Sequence, residues 1–499
     1  MLAFDVYRDG QPLVQWPAEV FSRAYCIYLA DPDGRPREKS FDFAEGRMAA
    51  YCELGVIRRL YIRYPVRGFG DPILRTRALR SGDTLYTLAV ELARGRIELL
   101  DNELATMHQA GEKVSAELRE RIDEAARLTE LAQVREDAGN RAEASMIADD
   151  ALAVSVPAGE ALALEAAATR LHQRREDGRL TDLLLGTTSG AYVAGTKRGD
   201  AFLQAFNYAT LPFYLNGVEP EPGCVKLDGL LKTARTLKEQ GVRMKGHPLV
   251  WTYSMCLPPH HRHMDFATCC EVFTTRILRD VPPFDGLIEY WDVINEAHDT
   301  PWANSFAFSS AQMVELTRLA AKTTRKAAPN AKLVVNVCLP YGEYAAGAPG
   351  RTTPLEYLRS CLDAGVDFDI IGIQFYYGSG MLQYCWDMLE ISNILDEYVA
   401  LGKEIHITEL GTPSAMGPDP NAMIKEGNEV GLWHTEWTET TQAEWIEQFY
   451  TLCLSKPSIT AITWWSFSDA APVFWPYSGL LDKNDEPKES FQRLLQLRG

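Results

Sequence analysis

Tyr290-Trp291-Asp292-Val293-Ile294-Asn295-Glu296-Ala297-His298 decides how the rest of the chain is read. Prolines bound it on both sides, Pro282-Pro283 before it and Thr300-Pro301 after it. Its first half is apolar, aromatic and β-branched, the composition of a strand buried on both faces of a parallel sheet. An amide and a carboxyl, Asn295 and Glu296, stand at the exit end, where such a strand should stay apolar. Glu404-Ile405-His406-Ile407-Thr408-Glu409-Leu410-Gly411 has the same form. Two buried strands that each deliver a glutamate at the exit end point to a paired-carboxylate site.

Around these two stretches, from residue 180 to 499, strand and helix patterns alternate. The strands fall at Leu183 to Gly186, Ala205 to Thr210, Arg243 to Val250, Tyr290 to Asn295, Lys332 to Val337, Ile370 to Phe375, Glu404 to Thr408 and Ala461 to Ser466. Helical stretches such as Leu227 to Gln240, Ala311 to Ala328, Pro354 to Ala364, Cys385 to Leu401 and Thr441 to Ser455 separate them. Eight such repeats predict an α/β fold, a (β/α)8 TIM barrel, which takes roughly 200 to more than 400 residues. An open doubly wound sheet would need a Gly-rich phosphate loop after an early strand, and the sequence has none. Glu296 then ends the fourth strand and Glu409 the seventh. Barrel strands end on one common face, so the two carboxyls converge at one mouth.

The chain ahead of the barrel divides in two. Residues 1–88 read as a small β-rich, sandwich-like domain, with runs such as Ala24 to Leu29 and Arg59 to Tyr64 between turn signals. A carbohydrate-binding role and a purely structural one both fit; aromatics no denser than a core requires favour the structural role. Residues 89–179 turn to Ala, Glu, Leu and Arg with helical periodicity (Leu92, Leu100, Leu104; Leu118, Ile122). Gly111, Gly139-Asn140 and Val156-Pro157-Ala158-Gly159 punctuate them into three or four helices. A helical hairpin or bundle linker results, which also offers a face for a homodimer.

The 499 residues carry a formal charge of −18 with an isoelectric point near 5.1, which argues against nucleic acid or an anionic membrane as partner. No apolar run approaches membrane-spanning length. The N-terminus shows no charged segment followed by an apolar one, which leans towards the cytoplasm as the expected compartment; a secreted chain stripped of its leader would look the same. The ten cysteines, Cys385 among them, have no repeated spacing and read as reduced, buried thiols.

Two carboxyls converging in an aromatic-lined mouth suit glycosidic bond cleavage, one protonated to donate to the leaving oxygen, the other ionised to attack the anomeric carbon. Trp251, Trp464, Trp465 and Trp475 offer flat apolar faces to sugar rings. His298 and His406 lie near the two glutamates in sequence and are candidates for tuning them; His406 reads equally well as a hydrogen-bonded core residue. His260-His261-Arg262-His263 lacks a carboxylate pattern and reads as a solvated rim loop before it reads as a metal site.

Gly246-His247-Pro248-Leu249-Val250-Trp251, Trp291 to Glu296, Gly372-Ile373-Gln374, Ile407-Thr408-Glu409-Leu410 and Trp464-Trp465-Ser466-Phe467-Ser468-Asp469, in that order, resemble glycoside hydrolase family 10, the retaining endo-β-1,4-xylanases. Val218 to Gly223 and the closing Gly479 to Asp482 with Glu486-Pro487-Lys488 are similar to that family as well. The resemblance covers residues 180 to 499. It implies Glu296 as acid/base and Glu409 as nucleophile. It also implies His247, Trp251, Asn295 and Gln374 as sugar contacts, Trp465 as subsite floor, and Trp475 as a flanking tryptophan across a stretched spacing. The expected substrate is xylan or xylo-oligosaccharide, with no metal or other cofactor. Four positions depart from the pattern: the family's Asn and Lys for the next sugar fall on Leu211 and Tyr214, its His on Tyr376, and an Asp on Gly411. Tyr376 keeps a donor for Glu409 but cannot be cationic. These departures leave open another β-linked glycan as substrate, and a non-catalytic glycan-binding protein.

Overall fold

The structure is a computed structural model describing residues 1–16, 26–180, 182–298, 302–348, 350–379, 386–423 and 430–498. Ala24, Thr300, Pro301 and Cys385, all used in the reading above, lie outside these residues.

Residues 184–464 supply eight parallel strands that close into a barrel: Leu184–Thr188, Tyr208–Pro212, Arg243–His247, Tyr290–Asn295, Lys332–Val337, Ile370–Tyr376, Glu404–Gly411 and Ile459–Trp464. The first pairs with the last through Leu184↔Ala461, which removes both sheet edges. Strand 2 departs from expectation. Ala205 ends a helix, Lys197–Ala205, whose first turn is capped by the Thr196 hydroxyl accepting from Gly199 N. The apolar run suits a helix as well as a strand, and the cap decides it. Strand 3 stops at His247, because Pro248 has no N–H to continue the ladder.

Inward-facing Leu184, Tyr208, Tyr290, Val334, Ile370 and Ala461 form a separate cluster that plugs the barrel base. Outward-facing Trp291, Val293, Ile371, Ile373 and Phe375 pack under the helices. Capping boxes at Ser309/Gln312 and Thr353/Glu356 start the helices Ser310–Ala327 and Pro354–Asp363.

The N-terminal region forms two small sheets. One has the order Leu85–Thr87, Leu2–Asp5, Arg47–Ala50, Phe41–Ala44; the other is built around Ile57–Arg63 and Ile27–Ala30. Three helices follow, Leu88–Gln109, Ala116–Asp137 and Arg141–Glu176, separated at Gly111 and Gly139, both with φ above +70°. The expected break at Pro157 does not occur: the third helix runs through it. Arg96, from the first helix, donates to the carbonyls of Ser155 and Val156 beside the proline. Gly159 permits this approach, since a Cβ there would lie 2.2 Å from Arg96 Nη2.

The third helix is also long and apolar enough to cross a membrane, contrary to the expectation that no segment would be, and 61% of its apolar window is buried inside the molecule. Its small buried residues (Ala144, Ala148, Ala151, Ala158, Ala163) allow close packing against barrel helices Met388–Val399 and Glu439–Ser455.

Arg96 reaches further, to Asp387 at 3.0 Å, both fully buried. Asp387 accepts from Leu389 N and so caps helix Met388–Val399. Glu160 accepts from Met388 N at 3.0 Å, and Arg75 lies 3.5 Å from Glu390. One helix start of the barrel therefore carries the ion pairs that join all three parts of the chain. Removing one partner of a buried pair strands the other charge, so Arg96→Met should cost roughly 3–5 kcal/mol. A lower urea midpoint, largely recovered in Arg96→Met/Asp387→Asn, is the expected outcome; an unchanged midpoint would contradict this account.

Candidate active site

Strict alternation along strand 4 would turn Tyr290, Asp292 and Ile294 inward and leave Asn295 outside. A register shift between Asp292 and Ile294 breaks the alternation, and Val293 and Ile294 both join the outer core. Asn295 is thereby turned into the barrel. Glu296 follows at φ +54°, a left-handed conformation in a non-glycine residue, with its N–H donating to Asn336 O at 2.9 Å. Further shifts fall between Ile373 and Gln374 and between Ile407 and Leu410, so the strands that carry Asn295, Gln374 and Glu409 are irregular near those groups.

The two carboxyls are 7% and 5% exposed for Glu296 and Glu409 and are joined through amides. Gln374 Nε2 donates to Glu296 Oε1 at 2.7 Å and to Asn295 Oδ1 at 3.3 Å. Asn336 Nδ2 donates to Asn295 Oδ1 at 2.7 Å and to Glu409 Oε1 at 3.3 Å. Tyr376 OH donates to Glu409 Oε2 at 2.9 Å. Gly411 lies beside that ring, where a Cβ would make ordinary contact with Tyr376 Cδ1 at 3.5 Å.

A buried charge cluster backs Glu409. Lys245 Nζ and His247 Nδ1 meet one oxygen of Asp292, at 2.8 and 2.5 Å, and His247 Nε2 lies 3.6 Å from Glu409 Oε1. Lys245 and His247 hold the Asp292 carboxyl below its usual range against the opposing effect of burial. Burial pushes the Glu409 carboxyl up to about 7, assisted by the Glu296 charge and opposed by His247, Lys245 and the Tyr376 hydrogen bond.

Aromatic rings complete the mouth. Trp465 meets His247 edge-on at 5.5 Å, Tyr214 lies 5.8 Å from His247 and 6.0 Å from Trp251, and Trp475 lies 6.0 Å from Tyr376. Trp251, Tyr214 and Trp465 are half-buried, with faces open to the mouth. Glu296, Glu409, His247, Trp251, Asn295, Gln374, Tyr376, Tyr214, Trp465 and Trp475 are thus brought together at one mouth. Three other expectations are corrected. Trp464 is fully buried in the outer core and donates Nε1–H to Ser478 O, so it offers no sugar face. His298 accepts from Cys338 N and lies 2.5 Å from the Tyr344 hydroxyl; burial lowers its pKa to about 3, so it is neutral and structural. His406 sits at the barrel base, against Tyr208 and Tyr290 and 3.6 Å from Glu404. Lys245, Asp292, Asn336 and Thr408 were missed. Each is a polar residue in a run that burial should make apolar, which is the signal that could have found them.

A closed parallel barrel with paired carboxyls and aromatic walls at the strand exits defines a glycoside hydrolase. The sequence model of glycosyl hydrolase family 10 matches residues 215–497, and the chain belongs to that family. It is 27% identical over 237 residues to endo-1,4-beta-xylanase B of Neocallimastix patriciarum, a match covering 46% of this chain and 26% of that protein. It is 24% identical over 322 residues to endo-1,4-beta-xylanase A of Caldicellulosiruptor saccharolyticus, covering 60% and 88%. In fold it resembles the crystal structure of xylanase 10B from Thermotoga maritima, with a TM-score of 0.50 and 19% identity over 65% of this chain and 97% of that one.

The raised Glu409 pKa has a consequence for stability. A folded-state pKa above the unfolded one stabilises below the unfolded value, and that contribution is lost as pH rises through about 7. Glu409→Gln should therefore raise the unfolding midpoint at pH 8, by up to about 3 kcal/mol. The gap should close below about pH 4.5, the ordinary value for a glutamate carboxyl. Thermal unfolding of both proteins across pH checks this, and a gap independent of pH would contradict it.

Proposed function

We propose that the barrel mouth cleaves internal β-1,4-xylosidic bonds of xylan or xylo-oligosaccharides with net retention. The observation that carries the reading is the amide chain Gln374–Asn295–Asn336, which links Glu296 to Glu409 inside an aromatic cleft. The Glu296 charge adds to burial in raising the Glu409 pKa to about 7. Tyr376, Asn336 and His247 converge on Glu409 and oppose the burial that raises its pKa, which supports the anion that attack requires. Glu409 then attacks the anomeric carbon and forms a C–O bond as the glycosidic C–O bond breaks, and the Glu296 proton passes to the leaving oxygen. In the second half Glu296 takes a proton from water as the water oxygen attacks the same carbon, which releases Glu409 and the sugar.

Asn295 Nδ2 has no partner among the described residues, which suits a donor reserved for a sugar hydroxyl. His247 and Trp251 flank the same ring position, Trp465 floors it, and Trp475 and Tyr214 extend the walls. A second reading rests on the rebuilt neighbour subsite. Leu211 is fully buried and offers a sugar nothing, and Tyr214 replaces an ammonium with a ring. Each lost polar contact is worth about 0.5–3 kcal/mol, enough to move preference to another β-linked glycan.

Product analysis on glucuronoxylan, arabinoxylan, xylo-oligosaccharides, β-glucan and β-mannan tests both readings. Xylo-oligosaccharides released by the wild type, with turnover abolished in Glu409→Ala and reduced about 10²–10⁴-fold in Glu296→Ala, is the expected result. Silence on xylans with release from another polymer would select the second reading. Binding without release anywhere would sink both.

Tyr376→Phe removes a hydrogen bond that lowers the Glu409 pKa. The acid limb of kcat/KM should move up by roughly one pH unit, and an unmoved limb would remove Tyr376 from the account of Glu409.

A further inference from the structure

The N-terminal region meets the barrel beside the mouth. Gly347, in the loop after strand 5, donates its N–H to Arg37 O at 2.9 Å. It packs so closely that a Cβ there would lie 3.2 Å from Lys39 Cβ. At this seam lies a cavity of about 480 Å³, within the ordinary range for small-molecule sites.

The charges in its wall do not balance locally. Glu38 is bound by Arg58 through two hydrogen bonds of 2.8 and 2.7 Å. Glu356 serves the capping box at Thr353 and faces Arg37 at 3.8 Å, and Arg37 is itself held by Asp31. Both carboxylates are therefore committed. Arg351 donates to Tyr344 O at 2.9 Å; among the described residues neither it nor Lys39 has a carboxylate partner within 4 Å. The Lys39 ammonium is half-buried, and burial pulls its pKa down. Two cations without counter-ions in one concave wall of a protein with net charge −18 form a local anion site. Tyr51 stands at the rim, 43% exposed, its hydroxyl donating to Asp42 at 2.6 Å, with a ring available to the apolar face of a sugar.

His298, two residues beyond Glu296, sits 2.5 Å from Tyr344 OH, and Tyr344 precedes Ala345 in the cavity wall. We propose that this cavity is an accessory subsite, built jointly by the N-terminal region and the barrel, for a carboxylate-bearing sugar such as a uronic acid unit of an acidic β-linked glycan. Its substrate class rests on the reading of the mouth as a glycan hydrolase.

Calorimetric titration of the full-length Glu409→Gln protein, which keeps ligands intact, tests it. The probes are xylotetraose, the same backbone bearing one glucuronic acid branch, and that branched compound with its carboxyl reduced to an alcohol. The acidic compound should bind about tenfold tighter than its reduced form. Lys39→Met should erase that advantage without changing affinity for xylotetraose, Lys39→Arg should keep it, and salt should weaken it. Equal affinity for the acidic and reduced compounds, or an advantage that survives Lys39→Met, overturns the proposal. Displacement of the acidic compound by sodium glucuronate shows that the free acid sugar suffices as ligand; lack of displacement shows that the acid must be carried on a chain, and the carboxylate preference stands in both cases. An acid preference in a wild type that hydrolyses nothing would leave this subsite standing and sink the hydrolase reading. Hydrolysis of neutral xylan without the preference would do the reverse.

Discussion

Asp292 carries a negative charge at the centre of the barrel, fully buried, and the mouth is organised around that constraint. An isolated carboxylate in such a place would cost several kcal/mol and would take up a proton instead. Lys245 and His247 prevent this by meeting one of its oxygens. The pairing fixes the imidazole with its other nitrogen toward Glu409, so a charge with no part in the chemistry orients a group that has one. The low dielectric that makes the arrangement expensive also makes each remaining dipole count.

The same economy of space runs through the amides. Gly372 has no Cβ because one would lie 2.6 Å from Asn336 Oδ1 and 2.8 Å from Thr408 Cγ2. Asn336 can therefore accept from Thr408 at 2.5 Å and turn its donor toward Asn295 and Glu409. Near the barrel's end Lys488 works similarly, binding Ser414, Asp469 and the carbonyl of Gly479 from a buried position. The resemblance of Glu486-Pro487-Lys488 to a family segment is thus explained by a knot that ties the loops after strands 7 and 8.

The region ahead of the barrel is fastened by the same physics as the mouth. Arg96, Asp387, Glu160, Arg75 and Glu390 form paired, buried charges at one helix start. His434 adds to them, lying 2.9 Å from Glu160 and 3.0 Å from the carbonyl of Phe69. Two sheets and three helices are thereby held against the barrel, which brings the 36–40 segment to the loop after strand 5.

Local patterns in the chain determined the eight strands, the helices between them and the two glutamates, because strand burial and helix amphipathicity are written in periods of two and 3.6 residues. They determined less where a run suits either state, as at Ala205 and Phe206, or where a side chain from elsewhere packs against a helix breaker, as Arg96 does beside Pro157. Lys245, Asp292 and Asn336 look in sequence like interruptions of apolar strands. They become a charge cluster and an amide bridge only when the barrel closes and their strands bring them within hydrogen-bond reach. His298 and His406 show the converse, since nearness in sequence to a catalytic candidate says nothing about which end of a strand a ring faces. Sequence alone determined which residue types arrive at each strand's end. Tertiary structure decided which of them meet, because bulges of a single residue turn side chains in or out and no local pattern records them.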